Sequence, residues 1–203
     1  LLLKYVKDIM DKTLLTDEEL ILAFQNGDRD AFNHIVERYK NKLTNFLYRF
    51  TYDIEAAQDL AQDTLLKVYI NKDSYKEIAK FSTWIYTIAS NLAKTELRKN
   101  KRRKTYAVSD LSTDDREFVL HRSDEDSFED EEDTLVSGQI LQKCLNELDT
   151  EFKNIIILRD IQELSYDEIS KILKIPLGTV KSRINRGRFK LKDLLKQKGV
   201  VLY

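Results

Sequence analysis

Five glycines and one proline, Pro176, are all that the 203 residues contain for building tight turns. All-β folds, and α/β folds with many short connections, need more of both. Apolar residues recur mainly at three- and four-residue spacing, so the chain reads as all-α. Its length suits one large domain or two small ones, either able to bury a core. A single cysteine, Cys144, excludes an internal disulfide or a multi-cysteine zinc site and fits a reducing compartment. No apolar run approaches the ~20 residues of a membrane span, which argues against membrane insertion and for the cytoplasm. The chain begins at Leu1 and its first methionine is Met10. "LLLKYVKDI" therefore reads as an upstream leader or a start at a non-standard codon, or else as a frayed tail.

The net charge of −1 hides strong local fields. From Lys94 to Lys104 seven Lys/Arg stand against one acid, Glu96, a net of +6. From Asp110 to Asp133 twelve Asp/Glu stand against Arg116 and Arg122, a net of −10. From Pro176 to Lys198 eight Lys/Arg stand against Asp193, a net of +7. The acidic stretch carries too few apolar residues to offset the entropy of ordering it. It reads as a flexible linker over 105–134, joining two small helical domains at 1–104 and 135–203. Two roles stay open for it, a solvated spacer or a strap that competes with nucleic acid for a basic face.

"LSYDEISKILKIPLGTVKSRI" has the pattern of a helix-turn-helix. Ser165 and Glu168 form a capping box, Ile169, Ile172 and Leu173 supply an apolar face, and Lys174–Pro176 make the elbow. In the next helix, 100° per residue puts Leu177, Val180, Ile184, Gly187, Leu191 and Leu195 on the core side. Gly178, Ser182, Asn185 and Arg186 face away, flanked by Thr179, Lys181 and Arg183. That mix suits the major groove: Arg pairs with a guanine edge and Asn with an adenine edge. A Thr methyl meets thymine, while Ser and Lys hold phosphates. A membrane-surface helix is disfavoured because a capped helix and elbow precede this one. Phe189 also points outward, to pack on a neighbouring helix or to touch a partner. Upstream, an Asp149/Thr150 cap separates two further helices, and Cys144 reads as a small core residue.

In the N-terminal half, Thr16 and Glu19 form a second capping box, and Asn26-Gly27 breaks two helices. "IEAAQDLAQDTLLKVYINK" is a third helix with Glu55, Asp59 and Asp63 on one side. Without a neighbouring His these acids lack a metal-ligand set and suit a basic partner surface better. His34 and His121 are isolated, and no cofactor is implied. "FSTWIYTIASNLAKTELRKNKRRK" is the fourth helix, with Ser82 as its expected cap. Its polar stripe of Thr87, Asn91, Lys94 and Arg98 runs into Lys99, Lys101, Arg102 and Arg103, one sign of charge over two turns, as a phosphate backbone requires. The loop before it carries Lys76, Lys80 and Tyr75, which would suit an unstacked base. Trp84 reads as a core anchor ahead of a base platform.

These features together resemble bacterial sigma factors of the extracytoplasmic-function type over about 16–104 and 135–198. The motifs are "GDRDAFNHIVERY", "AQDLAQDTLLKVY", "FSTWIYTIASNLAKTELRK" and "LSYDEISKILKIPLGTVKSRINRGRFKLKDLL". The resemblance implies a non-enzymatic factor that binds core RNA polymerase and directs it to promoters. Asp59, Gln62 and Asp63 would meet the β′ coiled coil. Lys76, Lys80, Thr87, Asn91, Lys94, Arg98 and Lys99 would capture the −10 element. Thr179, Lys181, Ser182, Arg183, Asn185 and Arg186 would read the −35 element, with the surrounding domain on the β flap. Control by an anti-sigma factor is a further implication. Three residues depart from the common pattern: Ser90 where Arg is frequent, Thr95 where Asp is frequent, and Lys174 where Gly is usual. A left-handed Lys174 would carry about 1 kcal/mol or more of strain. Two other classes compete. A response regulator would need an α/β receiver domain, and a metal hydrolase would need more ligands beside residues 55, 59 and 63.

Overall fold

The capping signals start helices where they stand. A computed structural model describes residues 12–110 and 129–200, and every regular element among them is helical. Thr16 and Glu19 close a reciprocal box at the head of α1 (Asp17–Gln25). Gly27, at a φ of 101°, turns the chain, and Asp28 caps α2 (Arg29–Thr51) through the N–H groups of Asp30 and Ala31. Asp53 does the same for α3 (Ile54–Ile70). A single 3₁₀ turn at Lys72–Ser74 then leads to α4 (Phe81–Asp110). Helix α2 is central in this N-terminal unit and packs against α1, α3 and α4. Leu43, Phe46 and Leu47 of α2 are fully buried with Leu20, Ile35, Phe81 and Ile85.

The C-terminal unit comprises α5 (Glu129–Glu147), α6 (Thr150–Ile156), α7 (Tyr166–Leu173) and α8 (Leu177–Gln197). A π-helical turn at Ile157–Ile161 ends α6, and Arg159 closes it by donating to the Leu164 carbonyl at 2.8 Å. Helix α8 lies on α5, α6 and α7. Its Gly187 sits so close to α6 that a Cβ there would stand 3.1 Å from Ile156 Cγ1. Buried apolar side chains of both units form one continuous cluster.

Several expectations change here. Ser82 is not a cap: α4 begins one residue earlier, and the Phe81 N–H donates to the Glu18 carboxylate of α1 at 2.8 Å. Asp149 occupies the N-cap position of α6, but its carboxylate pairs with Lys190 at 2.7 Å instead of bonding the helix. The 105–134 segment is partly helix, since α4 runs to Asp110 and α5 opens at Glu129. The rest of that segment, His121 and "LLLKYVKDI" lie outside the described residues.

Candidate DNA and polymerase interfaces

Helix α3 buries Ala57, Leu60, Ala61, Thr64, Leu65 and Val68, which turns Glu55, Asp59, Gln62 and Asp63 to solvent. None of these three acids joins an ion pair among the described residues, so the face keeps its negative field. Exposed Leu66 and Ile70 continue the same surface, giving an acidic patch with an apolar end. The sequence pattern had suggested only its acidic half. Such a face suits a basic, partly apolar helix.

The second site is built around the loop before α4. Gln25 donates to the carbonyls of Lys72 and Tyr75 and pins the loop to α1. Tyr75 itself is a core residue at 3% exposure; its hydroxyl donates to the Ala79 carbonyl, and its ring meets Phe81 and Trp84. Burial holds its phenol above the usual range. Tyr75 therefore anchors the loop and offers no platform to a base. The solvent-facing residues of the loop include Lys76 and Lys80, with Ile78 at its tip, 85% exposed. Trp84 packs half-buried against Tyr75 and Phe81, as a core anchor should.

Along α4, Asn91, Arg98 and Lys99 are exposed, Thr87 and Lys94 half-buried. The Thr87 hydroxyl donates back to the Thr83 carbonyl at 2.7 Å. Burial and the neighbouring Arg98 push the Lys94 amine below its ordinary range. Lys99 makes a loose pair with Glu96 at 3.7 Å. Side chains beyond this point, Arg102 excepted, lie outside the description.

The third site is the capped helix-turn-helix. Ser165 and Glu168 close their box around α7. Lys174 is left-handed, at φ 55° and ψ 46°. The Ser170 hydroxyl locks the elbow by donating to the Ile175 carbonyl at 2.6 Å. Pro176 stands at the N-cap position of α8. On α8, Val180, Ile184 and Gly187 are buried, whereas Leu177, predicted on the core side, is exposed at the helix start. Lys181, Asn185 and Arg186 point to solvent, Thr179 and Ser182 are half-buried, and Arg186 donates to the Ser182 carbonyl and hydroxyl. Arg183 is engaged elsewhere, in an ion pair with Glu151 of α6 at 2.7 Å. Phe189 is 67% exposed on the outer side.

Exposed basic residues on α4 and α8 and an exposed acidic face on α3 thus stand on an all-helical frame. The profile of Sigma-70 region 2 matches residues 35–103, and that of Sigma-70 region 4 matches residues 138–191. The ECF RNA polymerase sigma factor SigW of Bacillus subtilis (strain 168) is 36% identical over 178 residues, 87% of this chain and 95% of that protein. The chain belongs to the ECF sigma factors. An ECF RNA polymerase sigma-E factor of Haemophilus influenzae is 35% identical, with 86% and 92% covered. Among solved structures, CnrH in complex with the cytosolic domain of CnrY shares the fold at a TM-score of 0.66 and 22% identity, covering 89% of this chain and 97% of that one. The sigma factor RpoE of Bartonella quintana, solved with the anti-sigma factor NepR, superposes with a TM-score of 0.63 at 27% identity over 81% and 96%. As a sigma factor, the protein is a non-enzymatic initiation factor that binds core RNA polymerase and promoter DNA. No helix among the described residues is long and apolar enough to cross a membrane.

Proposed function

We propose that this sigma factor divides its work among the three faces, with the domain limits read above at 1–104 and 135–203. The acidic patch of Asp59, Gln62 and Asp63 docks on the β′ coiled coil of core polymerase. Lys76, Lys80, Thr87, Asn91, Lys94, Arg98 and Lys99 hold the opened −10 element. Thr179, Lys181, Ser182, Arg183, Asn185 and Arg186 read the −35 element, with Arg183 exchanging Glu151 for DNA, while the surrounding domain rests on the β flap. The observation that carries this reading is the segregation of charge, with an exposed acidic face on α3 that is unpaired among the described residues and basic faces on α4 and α8. Uniform sign over successive turns suits a single charged partner and not a merely solvated helix. The structural relatives solved with CnrY and NepR support control by an anti-sigma factor of comparable kind. The site of action is the cytoplasm, where promoters and polymerase are.

The discriminating experiment replaces Asp59 and Asp63 together by Lys. Polymerase binding by pull-down or fluorescence anisotropy is expected to be abolished, with isolated DNA binding unchanged. Normal polymerase binding by the double variant would refute the assignment of α3.

A further inference from the structure

Beside the loop assigned to the −10 element lies a cavity that the three faces above do not use. It encloses about 260 Å³ and is lined by Phe24, Gly27, Arg29, Tyr69 and Lys72. Three helix ends meet there, because α1 stops at Gln25, α2 starts at Arg29 and α3 stops at Ile70. The cavity and the loop share a base. Gln25 donates to the Lys72 carbonyl at 2.6 Å and to that of Tyr75 at 3.1 Å, so the segment that carries Phe24 also pins the loop.

The lining joins an aromatic floor to two cations. The Tyr69 ring lies 5.1 Å from that of Phe24 and 5.2 Å from that of Phe32, and those two rings lie 4.9 Å apart. Phe24 is buried and Phe32 half-buried, whereas Tyr69 is 44% exposed. It is the one exposed aromatic side chain among the described residues of the N-terminal unit. The rings beneath it set its plane in advance, which lowers the entropy cost of stacking on it. Lys72 stands 4.6 Å from the centre of the Phe24 ring, and its ammonium donates to the Phe24 and Gln25 carbonyls at 2.9 and 3.3 Å. One positive charge is thereby fixed in the wall. Arg29 is exposed and has no hydrogen bond or ion pair among the described residues, and the adjacent Asp28 is held by Lys12 at 2.7 Å.

We propose that this cavity receives one unstacked base of the opened promoter strand, next to the bases held by the −10 loop, with the base on Tyr69 and its phosphate on Arg29. The proposal rests on the assignment of that loop to the −10 element. An aromatic ring beside a cation holds single strands with little regard to sequence, since every base has a π-face. The volume falls below the range of drug-sized pockets, roughly 300–1,000 Å³, and is on the scale of a single nucleobase. An apolar side chain of a protein partner would fill the floor but leave the Arg29 guanidinium unmatched. The cavity also supplies the stacking that Tyr75, buried against Phe81 and Trp84, does not offer.

The test uses holoenzyme assembled with this chain and promoter DNA whose non-template strand is left unpaired across the −10 element and its flanks. An abasic site is moved along that strand one position at a time, and affinity is read by fluorescence anisotropy. With the parent, one position adjacent to those held by the loop is expected to cost about 5- to 150-fold, the stacking of one base. Tyr69→Leu is expected to lose a similar factor on intact DNA and nothing further at that position, while Tyr69→Phe keeps the parental profile. Losses from Tyr69→Leu and the abasic site that multiply at every position would overturn the proposal. Arg29→Ala, at an exposed position, is expected to weaken every probe equally and to reduce the salt slope by about one; an unchanged slope would overturn the phosphate contact. A Tyr69→Leu chain that assembles less holoenzyme, with the parental abasic profile in what does form, would give the cavity to a protein side chain and overturn the base. Failure of the −10 assignment reads differently: Lys76→Ala with Lys80→Ala would leave binding unchanged, whatever Tyr69 does.

Discussion

Replacing Lys174 by Gly isolates one backbone conformation. The Lys174 side chain is exposed and makes no hydrogen bond or ion pair among the described residues, so its removal deletes no contact. Its backbone N–H donates to the Ser170 carbonyl, as does that of Ile175 at 3.2 Å, and glycine keeps both bonds. What changes is the steric cost of a Cβ at φ 55°, about 1–2 kcal/mol for an L residue. Against this, glycine adds roughly 0.5–1 kcal/mol of backbone entropy to the unfolded chain. The difference leaves a net gain of about 0.5–1 kcal/mol, or about 1–4 °C in Tm for a chain of this size. Urea denaturation and calorimetry of the parent, Lys174→Gly and Lys174→Ala measure it. The Ala variant removes the same side chain but keeps the Cβ, so it should show no gain. Equal stability of the Gly and Ala variants would refute the strain argument, whatever their rank against the parent.

Three other perturbations follow from the same geometry. Arg186→Ala should relax base preference near one position of the −35 element, typically by ~1–3 kcal/mol, in transcription from a promoter library; an equal loss on every DNA would reduce Arg186 to a phosphate contact. Gly187→Val should destabilise the C-terminal unit by about 1–3 kcal/mol in urea melts, because its Cβ would stand 3.1 Å from Ile156 and its γ-methyls would press α8 off α6. Burial lowers the Lys153 amine from 10.5 to about 8. Below that value both folded and unfolded chains hold the proton and the penalty is complete. Between about 8 and 10.5 the unfolded chain holds more protons, so stability rises with pH. The rise is on the order of 2–3 kcal/mol. Lys153→Met should abolish that component of the slope between pH 7.5 and 10, and an unchanged slope would show that Lys153 is not the group responsible.

Signals confined to a few residues were legible in the sequence, and pairings between distant ones were not. The boxes at Thr16/Glu19 and Ser165/Glu168 involve residues three apart, and both form. The elbow at Lys174 is equally local, and its left-handed backbone followed from one residue in a position where glycine is common. Ser82 failed as a cap because Glu18, 63 residues earlier, already accepts from the Phe81 N–H. Tyr75 looked free because a loop tyrosine has no periodicity to betray its burial under Phe81 and Trp84. One missed feature did carry a signal: no glycine or proline occurs between Gly27 and Gly138, so nothing local stops α4 at residue 104. Charge patterning placed the acidic side of α3 and the basic sides of α4 and α8, because helical periodicity assigns each charged residue to a side without regard to the rest of the fold. It could not place the faces relative to each other. That information lies in pairs such as Arg49–Gln142, 93 residues apart, whose members are unremarkable singly. A near-neutral total charge is compatible with strong local fields, and the folded arrangement decides which of those fields the solvent meets.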